Sequence, residues 1–170
     1  MVSTLKYLYS QNIKILHRSN CKSIKISSLV QEINSVLSQV PEGGDVIAYT
    51  DGSTAPRAKQ PNSGSGIFIT DVEHNEIWSG GLIVRTDGNN FIAEMAAAAV
   101  VTKACPPHRR LLLRIDSMAT IGAITKGIVS ERKRVRAAGR AWLNLCRSDF
   151  MEKEENIQIE RISSQRKRYT

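Results

Sequence analysis

Three carboxylates occupy positions where an acidic side chain is costly unless it has a role. Asp51 follows the apolar segment Val46–Thr50, Asp116 follows the apolar segment Leu111–Ile115, and Glu94 lies within an alanine-rich segment. Carboxylates gathered in one place repel each other and take up protons unless cations compensate their charge. Hard oxygen ligands suit Mg²⁺ or Mn²⁺, and two such ions can stabilise the attacking and leaving oxygens of phosphodiester hydrolysis. The three residues together therefore predict a divalent-metal site for phosphoryl chemistry.

Each aspartate also has a purely structural explanation. Asp51 with Gly52 can form a turn, and Asp116 with Ser117 can cap a helix, which stabilises the helix by about 0.5–2 kcal/mol. Taken singly, either aspartate is better explained in this way. Both aspartates in this order, with Glu94 between them on a helix of small residues, favour a common site instead.

Apolar runs and helical periodicity define the elements that would position these acids. Runs of β-branched and aromatic residues predict strands, and apolar residues that recur every three or four positions predict helices. Strands are predicted at Val46–Tyr49, Gly66–Thr70, Ile77–Val84, Leu111–Ile115 and Ile157–Ile162, and helices at about 28–40, Asn90–Cys105, Ser117–Thr125 and Ser130–Phe150. This order predicts an α/β domain with a mixed sheet.

The composition excludes several classes of protein. The chain has 170 residues with 41% hydrophobic side chains, which suffices for one globular domain with a core. Its apolar runs are far shorter than the ~18–20 residues that span a bilayer, so no contact with a membrane is expected. Three cysteines without CxxC spacing support neither a disulfide framework nor a thiolate zinc site, and an intracellular location is expected.

The formal net charge of +8 is concentrated towards the two ends of the chain. Residues 126–170 contain 12 basic and 6 acidic side chains, whereas residues 41–125 contain 7 basic and 9 acidic ones. An acidic centre between basic flanks suits a metal-dependent enzyme that acts on a polyanion, because carboxylates bind cations and Lys or Arg binds phosphates. An ordinary solvated surface would carry the same charges, so charge alone leaves both interpretations open.

The chain divides into a basic leader, residues 1–42, and a domain, residues 43–170. The first 30 residues contain no acidic side chain and are rich in Ser and Lys, which predicts a tether or linker. A mitochondrial transit peptide is disfavoured because Arg18 is the only arginine there. Ser28 and Gln31 have capping-box spacing, so one amphipathic helix is predicted at about 28–40.

Three segments around the acids resemble the signature segments of the ribonuclease H family. They are Tyr49–Ser53 (YTDGS), Asn89–Ala97 (NNFIAEMAA) and Ile115–Ile121 (IDSMATI). The order Asp, Glu, Asp agrees, as do the element types, from about Val46 to Ile162. The resemblance implies an α/β, ribonuclease H-like fold. Its mixed five-stranded sheet would have three antiparallel strands followed by parallel additions, flanked by helices.

The resemblance also implies an activity. It implies an endonuclease that hydrolyses the RNA strand of RNA–DNA hybrids, with Asp51, Glu94 and Asp116 as the catalytic ligands of two Mg²⁺ or Mn²⁺ ions. An integrase-like transposase core is disfavoured because Glu94 precedes Asp116. Proofreading exonucleases begin with an Asp-x-Glu pair, which is absent at Asp51.

Substrate contacts are implied in the same way, residue by residue. Gly52, Ser53 and Asn90, with Ser117 as a further candidate, would contact the RNA strand near its 2′-hydroxyls, the group that distinguishes RNA from DNA. A basic stretch falls where family members contact the phosphates of the hybrid. Its residues are Arg132, Lys133, Arg134, Arg136 and Arg140.

The chain departs from the family pattern after its last predicted strand. Family members continue with a histidine-bearing loop and a helix that supplies a fourth carboxylate, whereas here no histidine follows His108 and no acid follows Glu160. With three carboxylates a second ion would lack ligands, so the chain as it stands is expected to be weak or inactive. We expect a piece of a longer polypeptide, such as a retrotransposon reverse transcriptase. The alternative is an inactive ribonuclease H-like module that binds nucleic acid or acts as a scaffold in an assembly.

Overall fold

Seven strands and four helices make up the described part of the chain. The computed structural model describes residues 11–17, 20–54, 62–85, 90–127 and 137–162. Within these ranges the strands are β1 (Asn12–His17), β2 (Asn20–Lys25), β3 (Val46–Thr54), β4 (Asn62–Asp71), β5 (Glu76–Arg85), β6 (Leu111–Ile115) and β7 (Ile157–Arg161). The helices are α1 (Ile26–Ser38), α2 (Asn90–Ala104), α3 (Met118–Lys126) and α4 (Ala137–Glu152).

One mixed sheet contains all seven strands, in the order β2-β1-β5-β4-β3-β6-β7. Strands β3, β4 and β5 are antiparallel neighbours, and β6 and β7 are added in parallel beside β3. The predicted α/β class, with three antiparallel strands and parallel additions, is confirmed. The sheet has seven strands where five were predicted, because a hairpin of β1 and β2 adds to the edge of β5.

The two additional strands come from the leader, where the sequence predicted a tether. Ile13 and Ile15 face the core, and Ile15 is 0% exposed, whereas Lys14 and Leu16 face solvent. This alternation is the pattern of a half-buried strand. In the sequence, this alternation covers only a few positions of a segment that is otherwise rich in Ser and Lys. The composition of the segment therefore led to the prediction of a tether. The tether prediction is wrong for Asn12–His17 and Asn20–Lys25, and the division of the chain at residue 43 stays a prediction.

Helix α1 begins at Ile26, two residues before the predicted start. Lys25 precedes it without a side-chain cap, so the spacing of Ser28 and Gln31 is not used as a capping box. The helix packs against β5 and α2. Its buried side chains are Ile26, Leu29, Ile33 and Leu37.

Arg109 joins the leader to the rest of the fold. Its guanidinium donates hydrogen bonds to the carbonyl oxygens of Val40, Pro41 and Gly44 at 2.6, 2.8 and 2.9 Å. Hydrogen bonds with a charged donor are stronger than those between neutral groups. The loop between α1 and β3 is therefore fixed to the turn that precedes β6.

All four helices lie on one face of the sheet, and α2 is the central one. It contacts β3 and β4 as well as α1, α3 and α4. The last carbonyls of a helix lack partners within the helix. Here the buried Lys153 Nζ donates to the carbonyls of Thr102 (2.9 Å) and Cys105 (2.7 Å), and Asn34 Nδ2 donates to that of Ala104 (2.8 Å). The C-terminal end of α2 is thus held by both α1 and the end of α4.

The opposite face of the sheet carries no helix within the ranges that the structure describes. We call it the open face, and its side chains include Leu16, Tyr49, Phe68, Ile83 and Arg114. Leu16 is 52% exposed, and Phe68 and Ile83 are each 41% exposed. Apolar side chains thus reach solvent on the side of the sheet away from the helices.

The remaining predicted elements agree with the structure to within a few residues at most of their ends. The predicted hairpin is β4–β5, and Trp78 and Trp142 are buried as expected. The predicted start of the last helix at Ser130 lies outside the described residues. No helix in the described ranges combines the length and the apolar content needed to cross a membrane.

Replacement of Ile15 tests whether the leader hairpin belongs to the folded core. Because Ile15 is fully buried, Ile15→Ala is expected to lower the free energy of unfolding by about 2–5 kcal/mol. Leu16→Ala, on the open face of the same strand, is the matched control and is expected to change it by less than about 0.5 kcal/mol. Urea denaturation followed by circular dichroism measures both. Equal effects of the two substitutions would contradict the role of the hairpin in the core.

Candidate metal centre

The three predicted carboxylates meet at one edge of the sheet. Strands β3 and β6 are parallel neighbours in which Thr50 pairs with Ile115, so Asp51 and Asp116 emerge at the same carboxyl edge. Glu94 reaches this edge from the first turns of α2. One carboxylate oxygen from each of the three acids lies within 4.8 Å of the others. The three acids singled out in the sequence therefore lie together, and their role as metal ligands stays a prediction.

Gly52 allows α2 to approach the sheet closely enough for this meeting. A Cβ atom at position 52 would lie 2.7 Å from both the Cγ and the backbone nitrogen of Glu94. Such distances are too short for any side chain, so the strand and the helix could not keep their separation. On the neighbouring strand, Ser65 Oγ donates a hydrogen bond to the carbonyl of Ala93 and fixes the same turn of α2. Gly52 thus has a steric role here, and its predicted contact with RNA stays a prediction.

Glu94 is the buried member of the cluster, at 7% exposed, whereas Asp51 and Asp116 are exposed. Thr120 Oγ1 donates a 2.6 Å hydrogen bond to Glu94 Oε2, and Asn90 Nδ2 lies 3.5 Å from Oε1. Burial raises the pKa of Glu94, hydrogen bonds from Thr120 and Ser117 oppose this, and the charges of Asp116 and Asp51 add to it. Positive charge bound beside Glu94 would therefore favour the ionised form of its carboxylate.

Ser117 begins the helix that follows Asp116. Its Oγ accepts a hydrogen bond from the Thr120 backbone nitrogen at 3.3 Å, which makes Ser117 the N-cap of α3. The cap suggested by the sequence is thus Ser117 itself, and the Asp116 carboxylate is left for the cluster. The proposed contact of Ser117 with RNA stays a prediction.

The other predicted contact residues divide into those that the structure describes and those that it does not. Ser53 on β3 and Asn90 at the start of α2 are both exposed, close in sequence to Asp51 and Glu94 respectively. Arg140 is exposed on α4. The basic residues before it lie outside the described residues, so the predicted grouping stays a prediction for Arg132, Lys133, Arg134 and Arg136.

Sequence reasoning missed two features near the cluster. The first is Thr120, whose spacing after the Ser117 cap could have suggested an inward side chain. The second is a cavity of about 450 Å³ on the open face, lined by Asp51 and Asp116 together with Tyr49 and Phe68. The alternation of residues along β3 places Tyr49 and Asp51 on one face, so this neighbourhood could have been predicted.

Arg114 forms a small network beside this cavity. Its guanidinium donates hydrogen bonds to the Tyr49 hydroxyl at 2.8 Å and to Glu160 Oε2 at 3.1 Å. Strand register explains the network, because Arg114 is directly opposite Tyr49 on β3 and Glu160 on β7. The hydroxyl of Tyr49, two residues before Asp51 in the sequence, is thereby held on the open face.

The donor set of the cluster fits a hard divalent cation. All three side chains offer carboxylate oxygens, and no sulfur or imidazole nitrogen belongs to the group. Oxygen donors of this kind suit Mg²⁺, Mn²⁺ or Ca²⁺ better than softer metals. The raised pKa of Glu94 adds an electrostatic reason for a cation here, since bound positive charge would favour the ionised carboxylate.

No family model matches the sequence, and no curated protein matches it. Solved structures do match. The ribonuclease H1 of the archaeon Halobacterium salinarum is 20% identical with a TM-score of 0.55, and the match covers 71% of this chain and 87% of that chain. The foamy viral protease-reverse transcriptase is 19% identical with a TM-score of 0.56, over 72% of this chain and 83% of that chain. The chain has a ribonuclease H-like fold.

A third structure with this fold has the same level of similarity. LC11 ribonuclease H1, isolated from compost by a metagenomic approach, is 18% identical with a TM-score of 0.53, and the match covers 71% of this chain and 85% of that chain. The ribonuclease H-like fold agrees with the resemblance of Tyr49–Ser53, Asn89–Ala97 and Ile115–Ile121. Each of these segments supplies one of the three clustered carboxylates.

Gly52→Ala tests the close approach of α2 to β3. The added methyl group must displace the turn that carries Glu94, and overpacking of this kind is expected to lower the free energy of unfolding by about 1–3 kcal/mol. Gly66→Ala is the matched control, because Gly66 pairs with Asp51 on the next strand but a methyl group added there would meet no other part of the fold within 4 Å. Thermal or urea unfolding compares the two variants. A Gly52→Ala protein as stable as Gly66→Ala would show that the helix is free to move away.

Proposed function

We propose that this ribonuclease H-like domain is an endonuclease that hydrolyses the RNA strand of RNA–DNA hybrids with Mg²⁺ or Mn²⁺. The convergence of Asp51, Glu94 and Asp116 within 4.8 Å is the observation that carries the proposal. Two matching structures, of LC11 ribonuclease H1 and of the foamy viral protease-reverse transcriptase, are complexes with an RNA/DNA hybrid. Their ligand supports the choice of a hybrid as the substrate class.

The three carboxylates would hold the cation, in different ways. Glu94 is buried and hydrogen-bonded, so it supplies a fixed ligand from the interior. Asp51 and Asp116 are exposed and line the cavity on the open face, so they face the side from which a phosphate can approach. A bound divalent ion supplies Lewis-acid stabilisation of the phosphoryl oxygens and favours ionisation of a water molecule.

Residues around the cluster would select and orient the hybrid. Ser53 and Asn90 expose a hydroxyl and an amide group near the carboxylates, and these groups can hydrogen-bond a 2′-hydroxyl. Arg140 and the basic stretch that precedes it would contact phosphates, with Arg132, Lys133, Arg134 and Arg136 as the other members. Phosphate contacts of this kind make binding weaken as salt rises.

A larger polypeptide of the reverse-transcriptase type is the context that we propose for the domain. The match to the foamy viral protease-reverse transcriptase supports this context. A non-catalytic module that binds nucleic acid is the second candidate. It is favoured by the number of clustered carboxylates in the described residues, since three leave a second ion short of ligands.

Cleavage of an end-labelled RNA–DNA hybrid tests the proposed activity. We expect weak cleavage of the RNA strand by this chain with Mn²⁺ or Mg²⁺, none with a chelator, and none of a DNA duplex. Asp51→Asn removes a ligand charge and is expected to lower cleavage by about 100-fold or more. Asp45→Asn is the matched control, because Asp45 precedes the opposite end of β3 and pairs with Arg110.

The outcomes separate the two candidate functions. Cleavage that persists in Asp51→Asn or in the chelator would contradict the assigned site. Hybrid binding without cleavage would favour the non-catalytic module. Where the gene continues past Thr170, the longer chain is assayed alongside, because the family resemblance implies a fourth carboxylate after the last strand.

A further inference from the structure

Thr120 contacts the one buried carboxylate of the metal centre. Its Oγ1 donates to Glu94 Oε2 at 2.6 Å, and the residue is 0% exposed. The contact joins two side chains that are both shielded from solvent, so water has little access to replace it if the hydroxyl is removed. Charge-assisted hydrogen bonds of this length are among the strong ones in proteins.

The position of Thr120 depends on the same backbone turn that positions Asp116. Asp116 follows β6, Ser117 caps α3, and Thr120 lies in the first turn of that helix with its backbone nitrogen bonded to Ser117 Oγ. The hydroxyl of Thr120 therefore connects the element that carries Asp116 to the helix that carries Glu94. This bond, together with the hydrogen bond from Ser117 to Glu94, ties two of the three candidate ligands to each other.

The two carboxylate oxygens of Glu94 differ in their hydrogen-bond partners. Oε2 is held by Thr120, whereas Oε1 has a long 3.5 Å contact with Asn90 Nδ2. A glutamate side chain has several rotatable bonds and loses conformational freedom when it binds a metal. A hydroxyl that fixes one oxygen beforehand reduces this loss and leaves the other oxygen available to a cation.

We propose that Thr120 is a positioning residue of the metal centre, whose hydroxyl holds the Glu94 carboxylate ready for a divalent cation. The inference rests on the proposed function and adds a residue outside the three ligands and the predicted RNA contacts. A purely space-filling Thr120 would be replaced equally well by Val, which has nearly the same shape. Substitution of Thr120 can therefore separate the effect of the hydroxyl on metal binding from the effect of the side-chain shape.

Calorimetric titration of the 170-residue chain with Mn²⁺ measures the effect directly. Thr120→Val is expected to weaken Mn²⁺ binding by about 10–100-fold, the usual effect of losing a hydrogen bond to a metal ligand. Thr120→Ser keeps the hydroxyl and is expected to bind Mn²⁺ with an affinity close to that of the unaltered chain. Thr102→Val is the matched control, because Thr102 is also fully buried on α2 but its hydroxyl bonds the carbonyl of Ala99 instead.

Two results would overturn the inference. One is a Thr120→Val protein that binds Mn²⁺ as tightly as the unaltered chain. The other is a Thr120→Ser protein that binds as weakly as Thr120→Val, since packing and not the hydroxyl would then be responsible. If Thr120→Val does not fold by circular dichroism, the Mn²⁺ affinity of Thr120→Ser alone decides, because retention supports the inference and loss overturns it.

The hybrid cleavage assay separates this inference from the proposed function. Loss of Mn²⁺ affinity in Thr120→Val, in a protein whose unaltered form binds Mn²⁺ but cuts no hybrid, would support the role of Thr120 and contradict the nuclease. Metal-dependent cleavage of the hybrid, with equal Mn²⁺ affinity in the unaltered and Thr120→Val chains, would support the nuclease and contradict the role of Thr120.

Discussion

The close packing of α2 against β3 is the constraint on which the rest of the structure depends. Every residue of α2 from Phe91 to Thr102 is buried, and most are alanines or other small apolar residues. A helix that is buried on all sides needs small side chains wherever it packs closely against its neighbours. The contact is closest at Gly52, where the helix leaves no room for a Cβ atom. This packing brings Glu94 into the interior of the protein and places it beside the ends of two strands.

Packing therefore holds together three charges that would otherwise separate. Burial and the neighbouring aspartates raise the pKa of Glu94, so the arrangement without a cation is electrostatically unfavourable. The fold opposes this repulsion locally through the hydroxyl of Thr120, and at a distance by anchoring both the C-terminal end of α2 and the loop before β3. An unfavourable local interaction that the surrounding structure maintains is typical of functional sites.

The parts of the fold that depend on local sequence could be predicted, and those that depend on distant partners could not. Strand β6 and helix α2 were predictable because their apolar runs and their ends at Asp116 and Pro106 are local signals. The meeting of Asp51 with Asp116 followed from the parallel alignment of two buried strands. The hairpin of β1 and β2 was missed because its place in the sheet depends on pairing with β5, which lies far along the chain. The bond between Thr120 and Glu94 was missed for the same reason, since it joins two helices across the core.

The edge position of the leader hairpin also sets an order of events during synthesis of the chain. The hairpin is made before the other described strands, but its neighbour in the sheet is β5, and the bonded residues His17 and Ser79 are 62 positions apart. An isolated two-stranded hairpin is marginally stable in water. Ile13 and Ile15 therefore have no sheet to join until β5 has left the ribosome, and α2, against which α1 packs, is made later still. At this edge of the sheet, a hairpin that is synthesised before its neighbouring strand is among the last described elements that can complete their packing.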